Sequence, residues 1–247
     1  MPLRDQILAW TDEYLDVASY PDYGPMGLQV VGASEVRKIA CGVSASRELF
    51  ERAAEAGAQL VLVHHGLFWD RDTRVIGPVM RDRLRALFDA ELTLATYHLA
   101  LDAHAEVGNN VLLAKELEVE PEQRFAGIGF GGPLAESVPM SVFAERVQDR
   151  LGQMPLVFSY GPEEVTRVAV CSGRAARYIV DAAAEGYDCL VTGEADEPTK
   201  HAAKELGVHF VAGGHYATET LGIRALAAKL AQKFALEWEF LDLPNPV

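Results

Sequence analysis

The pattern of apolar and polar positions predicts helices alternating with strands along most of the chain. Apolar residues near helical spacing predict an amphipathic helix over residues 3–17. "VRKIACGV" predicts a strand, "SRELFERAAEAG" a helix ended by Gly57, and "AQLVLVHH" a buried strand. Further helices are predicted near residues 79–90 and 107–117, on either side of a strand "ELTLATYH". This alternation predicts an α/β fold.

The second half of the sequence repeats the pattern of the first. A shift of 129 positions places Val36–His65 over Val165–Glu194 without a gap, with five of the thirty positions identical. "YHLALD" and "GHYATE" also share the pattern His-x-x-x-acid. We therefore predict two related, interlinked α/β halves, residues 1–126 and 127–247, with a metal site between them. The alternative is that Ala-rich α/β segments merely look alike.

Composition and cysteine usage limit the class of protein. A chain of 247 residues with 49% hydrophobic residues can bury the core of one large domain or two small ones. It has no apolar run of membrane-spanning length, and its N-terminus is charged throughout, which argues against an anchor or a signal peptide. Three widely spaced cysteines in apolar contexts predict reduced core thiols in a cytoplasmic protein.

The net charge disfavours nucleic-acid binding. The 22 basic residues face 36 acidic ones, giving a net charge of −14. Proteins that bind duplex DNA neutralise phosphates with Lys and Arg, so sequence-specific DNA binding is not expected. A small basic pocket for one nucleotide is still compatible with this composition, and some of the carboxylates could hold cations.

Two adjacent histidines end an apolar predicted strand in "LVLVHHGLFW", residues 60–69. The carboxyl ends of strands in open α/β folds lie at the edge where ligands bind. Neighbouring strand residues point to opposite faces, so His64 and His65 can share a site only where the strand breaks, and Gly66 permits a break. Alternatively, one histidine hydrogen-bonds in the core and the other faces solvent. For a histidine pair by itself, that alternative is favoured.

Two more predicted strand ends carry an imidazole and a carboxylate four residues apart. His98 and Asp102 follow "ELTLATY", and His215 and Glu219 follow "VHFVAGG". Inside a helical segment, this spacing puts His215 and Glu219 on one face, one turn apart. The helix around His98 is less clearly indicated. Three strand ends therefore present candidate ligands in an equivalent place.

Imidazoles and carboxylates without a thiolate suit zinc, iron or manganese better than copper(I). A structural metal site needs about four protein ligands, and a catalytic site needs about three protein ligands and a water. Six candidate ligands are therefore enough for two cations. In a two-metal site a carboxylate can bridge ions ~3.5–4 Å apart, and a water between them loses its proton near neutral pH. Asp102 and Glu219 are the candidates for bridging. The pattern thus indicates a hydrolytic centre without a serine or cysteine nucleophile.

Other polar positions keep more than one interpretation. Glu194, at a strand end in "TGEADE", is a general base, a ligand or an acid in the first turn of a helix. His104 either supports a ligand or caps a loop. His201 on a polar helix and His209 within a strand are predicted to be exposed or structural.

The glycine-containing loops do not match a phosphate-binding motif. "GLQVVG" and "GVSAS" fit neither GxxxxGK[ST] nor GxGxxG, which disfavours an ATPase or an NAD enzyme. "GVSAS" before "RELF" instead predicts a helix N-cap at Ser44 or Ser46. Phe68 and Trp69 either stack on a planar base or take part in packing.

Together these stretches resemble the GTP cyclohydrolase I type 2 homologue family, also called the NIF-three-like family of dinuclear metal proteins. In order along nearly the whole chain, they are "GLQV", "GVSAS", "LVLVHHGLFW", "YHLALDAHAEVGNN", "GPEEVTRVAVCSG", "LVTGEADE" and "GGHYATETLGIRAL". The resemblance implies a toroidal homo-hexamer of two-part α/β subunits, each holding two divalent cations that face the inner cavity. It implies metal ligands at His64, His65, Asp102, His215 and Glu219, with His98 beside them as an outer or additional ligand.

The sequence departs from the family pattern at three places. Met26 stands where asparagine is usual in "PNGLQV", and Leu99 and Ala100 replace the threonine and asparagine of "HTNLD". The inserted domain of longer members is missing between the halves. The changes beside Asp102 bear on substrate contacts more than on metal binding.

The function expected from these features is a metal-dependent hydrolase acting on a nucleotide-like small molecule. The resemblance implies cyclohydrolase-like ring opening, or the processing of damaged nucleotides. His98 and Glu194 are the candidates for proton transfer. The alternative is a non-enzymatic metal-holding scaffold or regulatory hexamer, and a strand of nucleic acid threaded through the ring is disfavoured by the negative charge.

Overall fold

Helices and strands alternate as the sequence pattern predicts, in a computed structural model that describes residues 1–247. The helices are α1 (Arg4–Tyr14), α2 (Arg47–Glu55), α3 (Pro78–Asp89), α4 (Leu99–Ala103), α5 (Asn109–Glu116), α6 (Met140–Leu151), α7 (Ile179–Ala184), α8 (Thr199–Leu206), α9 (His215–Thr218) and α10 (Thr220–Phe234). The strands are β1 (Gly27–Val30), β2 (Lys38–Ser44), β3 (Leu60–His65), β4 (Thr93–Thr96), β5 (Gln123–Phe125), β6 (Gly129–Pro139), β7 (Leu156–Phe158), β8 (Glu164–Val170), β9 (Cys189–Thr192), β10 (His209–Ala212) and β11 (Glu237–Phe240). The α/β class is confirmed.

The first of two compact units comprises Met1–Leu101 and Ile223–Leu243. Its sheet has the order β1-β4-β3-β2-β11, in which β1 is antiparallel to β4 and the other neighbours are parallel. The aliphatic residues of β3, Leu60 to Val63, are all fully buried. Such a continuous apolar run is typical of a parallel strand covered on both faces. This strand carries the two adjacent histidines at its carboxyl end.

The second unit comprises Asp102–Gly222 and Pro244–Val247. Its sheet has the order β5-β6-β8-β9-β10-β7, with β8, β9 and β10 parallel to one another. Side chains alternate between its two faces, so Val168 and Val170 pack in one apolar cluster and Ala169 packs in another. The parallel strands of this unit also end at polar residues.

The two sheets share strand order and register in their central parts. Ile39 pairs with Leu60, and adding 129 to each number gives Val168 and Cys189, which also pair. In both units a helix connects these two parallel strands. A third parallel strand follows in each sheet, β4 in the first unit and β10 in the second. Each of these is flanked on its other side by an antiparallel edge strand, β1 or β7. The predicted repeat of strand, helix and strand is therefore confirmed.

The boundaries of the two compact units differ from those of the predicted halves. The halves 1–126 and 127–247 describe the sequence repeat and stay a prediction. In the structure, residues 223–243 belong to the first unit because β11 pairs in parallel with β2.

Several local predictions can be compared directly with the structure. Ser46 is the N-cap of α2 and accepts a hydrogen bond from the N–H of Leu49 at 3.2 Å, whereas Ser44 is the last residue of β2. The first helix ends at Tyr14, earlier than predicted, and Asp16 beyond it has a left-handed backbone with φ of 51°. The three cysteines are buried and form no disulfide. None of the helices combines the length and the apolar character that crossing a membrane requires.

Candidate metal centre

Three imidazoles form the first ligand set, which lies entirely in the first unit. The ring centroids of His64 and His65 are 4.8 Å apart, and that of His98 is 4.9 Å from His64 and 5.5 Å from His65. One nitrogen from each ring lies within 4.8 Å of the others. His64 is fully buried, and the other two are partly exposed. The strand ends at His65, so the predicted break before Gly66 is present and adjacent histidines do converge.

The Nδ1 atom of each of these rings has a hydrogen-bond partner. His64 Nδ1 is 2.9 Å from the carbonyl oxygen of Tyr97, and His98 Nδ1 is 2.8 Å from Asp22 Oδ1. Carbonyl and carboxylate oxygens only accept, so in a neutral ring Nδ1 carries the proton and Nε2 carries the lone pair. His65 Nδ1 lies 3.1 Å from Ser44 Oγ, which can accept or donate. Nε2 is therefore the nitrogen that His64 and His98 can offer to a cation.

Gln29, in the "GLQV" stretch, holds the turn that follows the two histidines. Its Oε1 accepts the N–H of Leu67 at 2.7 Å, and its Nε2 donates to the carbonyl of Pro25 at 3.0 Å. A Cβ atom on Gly66 would come within 2.5 Å of the Gln29 amide. A larger residue at position 66 would therefore displace the Gln29 amide that holds this turn.

Asp102, His215, Glu219 and Glu194 form the second ligand set, which lies entirely in the second unit. His215 Nε2 is 3.2 Å from Glu219 Oε2, and His215 Nδ1 is hydrogen-bonded to Glu194 Oε1. A carboxylate oxygen of Asp102 lies within 4.8 Å of one of Glu219. The two side chains meet one turn apart, as predicted, although Glu219 lies just beyond α9, which ends at Thr218.

A hydrogen-bond network fixes Asp102. Its Oδ1 accepts from Asn109 Nδ2 at 2.9 Å and from Ser172 Oγ at 3.3 Å. Asn109 is fully buried, and its own Oδ1 accepts the N–H of Gly222 at 2.7 Å. The sequence interpretation missed Asn109, Ser172 and the histidine partner Asp22, since each is an ordinary polar residue in a loop or at a helix start until the fold brings it to a ligand.

The second set is suited to a cation by its charge. Asp102 and Glu219 are each only 3% exposed. A buried ionised carboxylate is costly unless positive charge or hydrogen-bond donors compensate it. Burial and then the charge of Asp102 raise the pKa of the Cys171 thiol, so this neighbour stays protonated. The donors are oxygen and imidazole nitrogen without thiolate, as predicted, and a divalent cation fits them.

His215 is the group whose titration the second set changes most clearly. Burial alone lowers its pKa, but hydrogen bonding and charge attraction from Glu219, and then from Glu194, outweigh burial and raise the pKa to about 9. The ring is thus a cation at neutral pH in the metal-free protein. Because this pKa lies above the ordinary value of 6.5, the pairing stabilises the fold fully below pH 6.5 and is lost as the pH rises through about 9. A cation bound at this nitrogen must displace the proton.

The structure also shows the positions of Glu194 and of the three remaining histidines. The helix-start interpretation of Glu194 is wrong, because α8 begins only at Thr199. His104 caps a loop, since its Nδ1 accepts the N–H groups of Glu106 and Val107, each at 3.2 Å. His201 is exposed on α8, and His209 is buried in β10 with its Nε2 2.7 Å from the carbonyl of Pro162.

Trp69 borders the imidazole set. Its ring centroid is 5.2 Å from that of His98, nearly perpendicular at 84°, and 6.2 Å from that of His65. Trp69 is partly exposed, and the adjacent Phe68 is 36% exposed. An aromatic surface therefore lies next to the candidate ligands within the first unit.

Comparison with known proteins identifies the family. Residues 2–246 match the model of Duf34/NIF3 (NGG1p interacting factor 3). The chain belongs to this family, and the resemblance predicted from the sequence motifs is confirmed.

Curated relatives and solved structures match over nearly the whole length. A protein named GTP cyclohydrolase 1 type 2 homolog from Pseudomonas aeruginosa is 45% identical over 95% of this chain and 95% of its own. Its namesake from Deinococcus radiodurans is 42% identical over 98% of this chain and 94% of its own. The structure of the protein ybgI, of unknown function, is 41% identical with a TM-score of 0.97 over the whole of both chains, and TTHA1606 from Thermus thermophilus is 35% identical with a TM-score of 0.94, again over the whole of both.

We expect Gln29→Leu to lower the free energy of unfolding by about 1–3 kcal/mol, because it leaves the partly buried N–H of Leu67 without its acceptor. Denaturant unfolding measures this loss. Gln29→Glu keeps an acceptor oxygen and is the matched control, with a smaller expected loss. Equal stability of Gln29→Leu and the wild type would show that Gln29 does not hold the turn.

We expect the His215 ring of the metal-free protein to titrate near pH 9, as measured by NMR of the ring protons. Glu219→Gln should lower the midpoint more than Glu194→Gln, because Glu219 is the larger of the two favourable contributions. A His215 midpoint at or below 6.5 in the wild type would contradict the described pairing.

Proposed function

We propose that the two ligand sets together hold two divalent cations, zinc, iron or manganese, and that the protein is a metal-dependent hydrolase acting on a nucleotide-like small molecule. The observation that carries this proposal is the chemistry of the sets. The first set offers imidazole rings whose Nδ1 atoms are hydrogen-bonded to other groups. The second set offers two deeply buried carboxylates and an imidazole.

The positions of the ligands along the chain support a shared centre. Asp102 is the first residue of the second unit and follows His98 by four residues. Glu219 precedes Ile223, where the chain re-enters the first unit, by four residues. Two of the three passages of the chain between the units, at residues 101/102 and 222/223, therefore lie within four residues of a candidate ligand; the third, at 243/244, does not. The ligands in this proposal are His64, His65, Asp102, His215 and Glu219.

The two carboxylates are assigned different roles. Asp102 Oδ1 already accepts two hydrogen bonds, so Asp102 is expected to bind one cation through its other oxygen. Glu219 is the better candidate for bridging. When bound, the cations supply Lewis acidity and lower the pKa of a coordinated water.

His98 and Glu194 are assigned the proton transfers. His98, held by Asp22, presents Nε2 as a base that can take a proton from the attacking water. Glu194 orients His215 through Nδ1 and, once the proton taken by His98 has passed to it, can give that proton to the leaving group. The water oxygen forms the new bond to an electrophilic carbon or phosphorus, and the bond to the leaving group breaks.

The substrate class is inferred from the neighbouring aromatic residues and from the relatives. Trp69 and Phe68 beside the imidazole set suit a planar base. The relatives' shared name, GTP cyclohydrolase 1 type 2 homolog, points to ring opening of a guanine nucleotide or a damaged form of one. A cytoplasmic homo-hexamer completes the proposal.

Metal analysis with a nucleotide panel tests the proposal. Protein loaded with Mn, Zn or Fe should turn over at least one nucleotide, and Glu219→Gln should abolish turnover and weaken metal binding by tenfold or more. The control is Glu205→Gln, which removes an exposed carboxylate on α8. Light scattering should give both variants the wild-type mass, near six times 26.9 kDa for a hexamer. Tight metal retention without any turnover would favour the scaffold alternative instead, and absence of metal would refute both.

The aromatic surface makes a separate prediction. Trp69→Ala should raise KM for the nucleotide by roughly 5- to 150-fold, from about 1–3 kcal/mol of stacking, with kcat little changed. Trp69→Phe keeps a ring and should lose less. Trp238→Ala removes a partly exposed indole on β11 and is the control. A KM unchanged by Trp69→Ala would exclude stacking on this residue.

A further inference from the structure

Asp22 is a buried carboxylate in the loop before β1, and no sequence motif marked it for a role at the site. Its side chain is 3% exposed. Its Oδ1 lies 2.8 Å from His98 Nδ1 and accepts the N–H of Tyr23 at 2.6 Å, while its Oδ2 accepts the N–H of Leu99 at 3.0 Å. Three donors from two segments of the first unit thus converge on one carboxylate.

These contacts suit an ionised carboxylate. All three partners present an N–H group, and an ionised carboxylate accepts hydrogen bonds through both of its oxygens. An anion that has been desolvated to this degree accepts strong, directional hydrogen bonds. It can therefore hold an imidazole in one orientation and one tautomer.

The orientation of the His98 ring decides which of its atoms faces the other two histidines. Its ring lies 4.9 Å from that of His64 and 5.5 Å from that of His65, with Trp69 at 5.2 Å on another side. Ring nitrogens of the three histidines come within 4.8 Å of one another. A rotation of the His98 ring would exchange Nε2 for Nδ1 or carbon in this cluster.

We propose that Asp22 is the positioning residue of the imidazole set: it fixes His98 as the Nδ1–H tautomer and so makes Nε2 the atom that takes a proton or binds a cation. Asp22 itself touches neither substrate nor cation in this role. Its bond to the N–H of Leu99 additionally fixes the start of α4, so the carboxylate sets both the ring and the backbone that carries it.

The contrast with His64 supports a specific role for a charged partner. His64 donates to the carbonyl of Tyr97, a neutral acceptor supplied by the backbone beyond β4. His98 follows the end of that strand, and its Nδ1 contacts a carboxylate instead. A carboxylate holds the Nδ1–H of an imidazole more strongly than a neutral carbonyl does, because a charge-assisted hydrogen bond is shorter and stronger. A firmly held Nδ1–H leaves Nε2 to take a proton, which is the role proposed for His98. Only this comparison of roles rests on the proposed function.

The test uses the metal-free protein without substrate, labelled with nitrogen-15 in histidine. Long-range proton–nitrogen spectra distinguish Nδ1–H from Nε2–H. Wild-type His98 should be the Nδ1–H tautomer. In Asp22→Ala it should shift toward Nε2–H, the form that neutral imidazole prefers in water. Asp82→Ala, which removes a surface carboxylate paired with Arg81 in the same unit, should leave His98 unchanged.

Asp22→Asn keeps the inference testable if the alanine variant does not fold. An amide oxygen is a weaker acceptor than a carboxylate, so the His98 Nδ1 proton resonance should move upfield. An Nδ1–H tautomer that persists in folded Asp22→Ala, or an unmoved Nδ1 proton in Asp22→Asn, would overturn the inference. Neither result depends on turnover, so failure of the proposed hydrolase activity would leave this test intact.

Discussion

The candidate site depends on one constraint: a histidine that binds a cation through one ring nitrogen is oriented by a hydrogen bond at its other ring nitrogen. In this protein the held nitrogen is Nδ1 at all four candidate histidines. The partners are the Tyr97 carbonyl for His64, Ser44 for His65, Asp22 for His98 and Glu194 for His215. A ring that is fixed in this way loses less side-chain entropy when its Nε2 binds a cation.

The fold supplies these partners by repeating one arrangement of strands. In both units parallel strands of matching register end in polar residues, and β3 in the first unit carries His64 and His65 at that position. Glu194 lies two residues beyond the end of β9, at the place that corresponds to His65 after the shift of 129. The same backbone position therefore carries a candidate nitrogen ligand in one unit and a carboxylate that orients His215 in the other.

The charges of the two ligand sets are unequal, and this inequality has a chemical consequence. The first set consists of three imidazoles, and one carboxylate, that of Asp22, is hydrogen-bonded to the His98 ring. The second set concentrates carboxylates around a single imidazole, whose pKa they raise to about 9. A proton on His215 offsets part of that negative charge in the metal-free protein. A cation bound by the second set would have to compete with this proton, which would make metal affinity depend on pH.

The sequence by itself determined the α/β class, the internal repeat, the family and the residue types of the candidate ligands. It could do so because strand and helix periodicities are local, and because His-His, His-x-x-x-Asp and His-x-x-x-Glu are visible as spacings. Only the tertiary structure decided which partner holds each ligand. Asp22 and His98 are separated by 76 residues, and Ser172 and Asp102 by 70, so no spacing could pair them. Hydrogen-bond partners of this kind are selected by packing, which brings together polar groups that carry no mark of their role along the chain.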